Sequence, residues 1–321
     1  MILEIILFII GIVLLIKGAD FLVEGSSSIA RRLGVPALMV GLTIVAFGTS
    51  MPELIVNILA AFQGATEVAF GNIIGSNIAN ILLVLGVVAI ITPIKVRGST
   101  VWKEIPFSLL AVIVLFIFSN YAFIDGVGTN SLTRVAGLIM ICFFVVFIYY
   151  TFGMSRKKKS KEKEKISIHE MKIYFAILLI LGGLVGLYFG GKWVVDGAIF
   201  MARQFGLSEF LISATIIALG TSLPELVTGV TAARKGNIDL AVGNSVGSNI
   251  FNIFWVLGIT AIIAPILIPS FINVDILFLI FVTFLLFAFL FIGKKREIER
   301  WQGIMFILLY IAYLVFVGFR G

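Results

Sequence analysis

Two glutamates are placed where ionisable side chains are rare. Between Leu33 and Thr66 the sole charged residue is Glu53, and between Phe210 and Ala233 it is Glu225. A carboxylate in so apolar a stretch is costly unless a cation, a proton or water compensates it, so each marks a functional site by default. Both stand in one frame: Gly48 opens GTSMPEL and Gly220, 172 residues later, opens GTSLPEL. The plainer alternative is a protonated Glu bonded to a neighbouring helix. Two such residues with identical neighbours weigh against it.

The neighbours carry oxygen. Pro52 and Pro224 lack an N–H and oppose the carbonyl four residues back, which is expected to free backbone near Ala46 to Gly48 and Ala218 to Gly220. Thr49 and Thr221 precede their Glu by four residues and share its face wherever helix persists. Farther on, Asn72, Ser76 and Asn80 follow i, i+4, i+8 spacing, as do Asn244, Ser248 and Asn252. Gly71 and Gly75, and likewise Gly243 and Gly247, are read as small residues for close helix approach. A proline kink that only shapes a bundle and asparagines that only join helices are the bland alternatives. Together the two copies offer two carboxylates, hydroxyls, amide oxygens and carbonyls. One cysteine (Cys142) and one histidine (His169) exclude an intrachain disulfide and a His-rich metal centre, whereas an all-oxygen set suits hard cations such as Ca²⁺ and Na⁺. Two carboxylates neutralise one divalent ion or two monovalent ones, which makes occupancy mutually exclusive.

These residues need a membrane-spanning scaffold. Of 321 residues 60% are hydrophobic and only 41 are charged, 13% against roughly 25% in soluble chains, with a mean hydropathy of +1.16. Apolar runs predict ten spans, near 2–23, 37–61, 67–92, 104–122, 131–152, 172–194, 209–233, 239–264, 274–293 and 302–319. With the N-terminus outside, nineteen of the 24 Lys and Arg fall in inner connections, so both termini are expected outside and the 153–171 loop in the cytoplasm. That loop's basic run from Arg156, interleaved with Glu162 and Glu164, reads as a solvated segment beside anionic lipid rather than a nucleic-acid site. The first helix, with Glu4 and no small-residue cleavage site, reads as a retained span.

The 172-residue offset is an internal repeat. It also aligns GNIIGSNIAN from Gly71 with GNSVGSNIFN from Gly243, and Gly18 with Gly190, without a gap. Five spans per half is odd, so the second copy is expected to enter the membrane inverted, a plan recurrent in secondary transporters with the binding site at the repeat interface. The expected fold is an all-α polytopic membrane protein: ten transmembrane helices as two inverted five-helix repeats, helices 2 and 7 broken. Residues 1–152 form the first repeat and 172–321 the second, with 153–171 as linker.

The paired GTSxPE and GSNIxN segments resemble the alpha repeats of the cation/calcium exchanger superfamily, specifically the sodium/calcium exchanger branch in its prokaryotic form with two alpha repeats, here 41–80 and 213–252. The resemblance implies Na⁺-driven exchange of Ca²⁺ by alternating access. It assigns Glu53 and Glu225 to Ca²⁺ and shared Na⁺, and Thr49 and Thr221 to the completion of the calcium site. Ala46, Ser50, Ser76, Ala218, Ser222 and Ser248 fall to flanking sodium sites, and Asn80 and Asn252 to a central position holding water or an ion. Potassium-dependent exchangers usually carry Asp where Asn252 stands, which argues against K⁺ co-transport. The short central loop has no room for a calcium-sensing domain.

Na⁺ and Ca²⁺ as substrates and the bilayer are therefore the expected partners, at the cell membrane. No nucleic acid, obligatory protein partner or cofactor is expected. A proton-coupled Ca²⁺ exchanger and an oxygen-lined cation channel are the alternatives. An intramembrane enzyme is disfavoured, because the usual aspartyl dyad and a nucleophile–base pair are lacking.

Overall fold

In the computed structural model, residues 2–126, 130–157, 171–204, 218–269 and 272–320 are described. The first half opens with α1 (Ile2–Leu33). A bent span follows, made of α2 (Ala37–Val40), a π-helical turn Gly41–Val45, α3 (Ala46–Thr49) and α4 (Met51–Phe62). Next comes a span of α5 (Thr66–Ala79), a second π turn Asn80–Val84 and α6 (Leu85–Ile91). A π turn at Thr100–Glu104 leads into α7 (Ile105–Ser119), followed by the short α8 (Tyr121–Asp125) and α9 (Arg134–Lys157).

The described second half comprises α10 (Ile173–Gln204), α11 (Ala218–Gly220), α12 (Leu223–Arg234), α13 (Ile238–Ile250), a π turn Phe251–Leu257, α14 (Gly258–Ile263), α15 (Ile272–Phe289) and α16 (Arg300–Arg320). Among the described residues eight helices are long and apolar enough to cross a membrane, and a ninth span counts if the pair bent by 42° at Ser50 is one. The expected seventh span, near 209–233, begins outside the described residues, as does most of the 153–171 loop.

Three features depart from the sequence reading. First, α1 and α10 run about ten residues past the expected ends at 23 and 194. The polar run Glu24 to Ser28 does not end α1, because Ser26, Ser27 and Ser28 are buried inside the protein rather than exposed to lipid. At 32 residues each, these helices measure about 48 Å and must tilt in a hydrocarbon core of roughly 30 Å. Second, among the described residues π turns interrupt three spans and open a fourth, a feature common near functional sites and without a hydropathy signal. Third, two short strand pairings link loops of the helical fold. The two-residue strand β1 (Ile94–Lys95) pairs antiparallel with β4 (Glu297–Ile298), and β2 (Ser131–Leu132) with β3 (Ile266–Leu267), so each half lends a strand to the other.

Local sequence explains several helix ends. Gly64 (φ +69) and Gly236 (φ +73) stand at equivalent places after α4 and α12, in a left-handed conformation that glycine adopts without steric cost. The chain then folds back identically, with Ala65 N–H bonding the Ala60 carbonyl and Asn237 N–H the Ala232 carbonyl, both at 2.8 Å. Glycines also set the closest helix contact. Gly11, Gly18 and Gly25 on α1 and Gly183, Gly190 and Gly197 on α10 recur every seven residues, and a methyl on Gly18 would lie 2.8 Å from the Gly183 carbonyl oxygen. The two long helices thus form one tightly apposed pair.

Candidate cation site

The site is built around two helix breaks. Ser50 (φ −85°, ψ 5°) and Ser222 (φ −88°, ψ 1°) leave the helical path with matching geometry, and Pro52 and Pro224 sit in the first turn of the helices that restart. The expected freeing of carbonyls is only partial. Ser50 N–H bonds Ala46 O at 3.0 Å, and Ser222 N–H bonds Leu219 O at 3.2 Å, so the chain tightens around the proline instead of leaving its carbonyls bare. The break also changes what the threonines do. Helix does not persist from Thr49 to Glu53, and each threonine reaches across to the opposite half.

Ser76 and Ser248 are the junctions. Ser76 Oγ donates to Glu53 Oε1 at 3.3 Å and lies 3.3 Å from Thr221 Oγ1. In the mirrored arrangement Ser248 Oγ donates to Glu225 Oε1 at 3.4 Å and lies 3.4 Å from Thr49 Oγ1. Each serine therefore joins its own half's carboxylate to the other half's threonine. Glu53 and Glu225 are fully buried and near enough for their charges to interact. The second oxygen of each, Oε2, has no hydrogen-bond partner among the described residues, and the same holds for Asn80 Oδ1, Asn252 Oδ1 and the hydroxyls of Ser50 and Ser222. Buried polar atoms are nearly always satisfied, so a group of unpartnered buried oxygens that includes one from each carboxylate is unusual and marks a candidate site.

Behind this set, Asn77 and Asn249 tie α5 to α13. Asn80 Nδ2 donates to Asn249 Oδ1 at 3.1 Å and Asn252 Nδ2 to Asn77 Oδ1 at 3.0 Å. Asn77 and Asn249 were not among the expected ligands, although the GSNI motif repeats them at the 172-residue offset. The two halves differ one shell out. Asn72 Nδ2 bonds Asn57 Oδ1 (2.6 Å) and the Glu53 carbonyl (3.3 Å), whereas Asn244 Oδ1 accepts from Thr49 Oγ1 at 3.1 Å. Asn57 has Gly229 as its counterpart, so the second half has no side chain to hold Asn244 in the same way.

Eleven of the twelve expected site residues are side chains of this cluster or buried against it. Ala46 is buried where Gly247 approaches: a methyl on that glycine would lie 2.9 Å from Ala46 Cβ. Thr221 is half-buried and bonded to Ser76. Ala218 opens α11, and its side chain lies outside the described residues. Close approach at Gly243 is also seen, a methyl there falling 2.5 Å from the Leu38 carbonyl oxygen. Gly71 and Gly75 meet nothing within 4 Å among the described residues.

A cavity of about 200 Å³ reaches the breaks, lined by Pro52, Ile55 and Val56 of α4, by Leu187, Lys192 and Asp196 of α10, and by Gly220, Thr221 and Pro224. Ile55, Lys192 and Asp196 on its margin are exposed. The same cavity therefore has exposed residues and Thr221, which is bonded into the carboxylate cluster, on its lining.

An all-helical polytopic membrane fold around a buried centre with two carboxylates is of the class expected for a membrane protein that handles cations. The chain belongs to the sodium/calcium exchanger protein family, whose model matches residues 3–153 and 175–319. It is 38% identical over 312 residues to the putative antiporter CaxA of Alkalimonas amylolytica, covering 95% of each chain, and 30% identical over 344 residues to the sodium/calcium exchanger MaX1 of Methanosarcina acetivorans, covering 96% and 97%. The solved structure of the sodium-calcium exchanger NCX_Mj soaked with 10 mM Na⁺ and zero Ca²⁺ superposes with a TM-score of 0.82 at 33% identity over 98% of each chain. The family is one of exchangers, not enzymes.

Proposed function

We propose that this protein is a secondary antiporter that exchanges Na⁺ for Ca²⁺ by alternating access, independently of K⁺. The observation that carries the reading is the buried set of unpartnered oxygens, Glu53 Oε2, Glu225 Oε2, Asn80 Oδ1 and Asn252 Oδ1, contributed equally by the two halves. Two negative charges match one Ca²⁺ or two Na⁺, and occupancy by one species excludes the other. Thr49, Thr221, Ser50, Ser222, Ser76 and Ser248, with the backbone of Ala46 and Ala218, supply neutral oxygens around them. Asn252, in place of an acid, supports K⁺ independence.

The scaffold in this reading has ten spans in two inverted repeats, 1–152 and 172–321, joined by the cytoplasmic linker 153–171, with both termini outside. Reciprocal strand pairing and the mirrored Ser76 and Ser248 contacts support that plan. The paired α1 and α10 move against the rest, since the ligands lie on the second and third spans of each half. In this orientation the cavity beside α10 opens outward.

Reconstituted into proteoliposomes, the protein is expected to take up ⁴⁵Ca²⁺ when an outward Na⁺ gradient is imposed, with no dependence on K⁺. Uptake driven by an outward pH gradient and not by Na⁺ would replace this reading with proton-coupled exchange. Unitary currents in a planar bilayer without counter-ion would replace it with a channel.

A further inference from the structure

We propose that Asn77 and Asn249 are positioning residues that fix which end of the Asn252 and Asn80 carboxamides faces the transported ions, so that oxygens and not NH₂ groups line the site. The assignment rests on the functional reading above and deepens it.

A carboxamide presents an acceptor at one end and two donors at the other, in nearly the same shape, so something must decide which way it turns. Here the decision starts at a peptide group. The Asn249 backbone carbonyl can only accept, and it lies 3.3 Å from the Asn77 carboxamide. Asn77 must therefore place Nδ2 there, which sends its Oδ1 the other way. That Oδ1 lies 3.0 Å from the Asn252 carboxamide, so Asn252 is obliged to offer its nitrogen. Asn252 Oδ1 is left on the far side, where no donor reaches it among the described residues.

The mirrored chain runs from the Asn77 backbone carbonyl to Asn249 Nδ2 (3.3 Å), then from Asn249 Oδ1 to Asn80 Nδ2 (3.1 Å), and ends at the equally unpartnered Asn80 Oδ1. Each polarity chain begins at a group that cannot be reversed and ends at an oxygen with nothing to accept among the described residues. All four side chains are buried, so water does not scramble the order. A carboxamide turned the other way would set two N–H donors against a cation. Joining α5 to α13 is the bland role for these bonds, and it has no reason to leave both orphaned ends as oxygens.

The test is equilibrium binding of ⁴⁵Ca²⁺ to the purified full-length protein in Na⁺-free buffer, with thermal unfolding measured alongside. Asn77→Ala and Asn249→Ala are each expected to weaken Ca²⁺ binding on the order of tenfold, the loss that follows when one oxygen ligand is free to turn away. Asn77→Asp keeps an acceptor facing Asn252, so it should bind more tightly than Asn77→Ala, and that advantage should vanish in the N77D/N252L double variant. A residue serving only as glue reverses the order, because an aspartate set against the Asn249 carbonyl harms packing more than alanine does. The proposal is overturned if Asn77→Ala binds Ca²⁺ like the wild type, if Asn77→Asp binds more weakly than Asn77→Ala, or if the advantage of Asn77→Asp persists when position 252 is Leu. Should Asn77→Ala fail to fold, Asn249→Ala and Asn249→Asp with Asn80→Leu ask the same question from the other half. A wild type that neither binds nor exchanges Ca²⁺ removes the functional reading and this assignment with it, whereas normal wild-type binding with unaffected variants removes the assignment alone.

Discussion

Positions 20 and 192 are equivalent under the 172-residue offset, and they sit in opposite situations. Asp20 on α1 binds Lys235, at the end of α12, through its carboxylate at 3.1 Å and through its backbone carbonyl at 3.1 Å. Nearby, Asn237 Nδ2 donates to Ser27 Oγ at 2.9 Å. That flank is closed. On the other flank Lys192 of α10 is exposed on the margin of the cavity, and the counterpart of Lys235 is the exposed Gln63 at the end of α4. The halves agree where they hold the cluster and differ where they meet the surface. Alternating access requires a difference of that kind, since both flanks cannot be open at once. The closing bonds are also not duplicated: Ser27 and Asn237 have Ile199 and Ala65 as counterparts. Closing the α10 flank would need different contacts, drawn from apolar residues such as Ile55, Val56 and Leu187.

This contrast can be broken most severely by preventing α1 from leaving α12. With the exposed Cys142 replaced by Ser, cysteines at positions 20 and 235 joined by a cleavable bifunctional thiol reagent are expected to stop ⁴⁵Ca²⁺ exchange, and cleavage should restore it. Undiminished exchange in the joined protein would show that this flank never opens.

A smaller effect is expected from adjacent glycines on α10. A methyl at Gly183 would lie 2.7 Å from both the Gly18 carbonyl oxygen and the Leu22 nitrogen, while at Gly182 it meets nothing within 4 Å among the described residues. Gly183→Ala should lower stability by about 1–3 kcal/mol through overpacking and slow exchange. Gly182→Ala should be neutral or stabilising by up to about 1 kcal/mol, because alanine favours helix. Equal thermal shifts for the two would mean that α1 and α10 are not closely apposed.

The smallest effect belongs to Asp20→Asn. The ion pair is half-buried, and such pairs contribute roughly 0.2–1 kcal/mol, so its loss should shift the balance of open and closed forms no more than about fivefold. Cysteine labelling along the α12 side of α1 would measure it. An unchanged labelling rate would assign the closure to the Ser27 and Asn237 contact instead.

Much of the candidate cluster was legible in the sequence because one signal was unusually clean. Two lone acids in identical frames 172 residues apart named the carboxylates, and the offset carried Ser76, Ser248, Asn80 and Asn252 with them. What stayed hidden was three-dimensional. Four-residue spacing put Thr49 on the face of Glu53, but the turn at Ser50 swings it to Asn244 and Ser248. Asn77 and Asn249 sit off the i, i+4 stripe, and their role emerges only once α5 and α13 face each other. Glu104 and Asp275, which fall at the starts of the predicted spans 104–122 and 274–293, are buried and bonded to Tyr150 and to Tyr313 and Arg320. Hydropathy gives no warning of such pairs, because a bonded acid and an exposed one score alike.

The central claim is that one cation site is shared between the halves, each giving one carboxylate. Na⁺-driven ⁴⁵Ca²⁺ exchange in proteoliposomes bearing Glu53→Gln or Glu225→Gln tests it most directly, since the amide keeps the shape and removes one charge. The account predicts that either substitution alone abolishes exchange while the protein still folds. Exchange that survives in either single variant at the wild-type rate would contradict it.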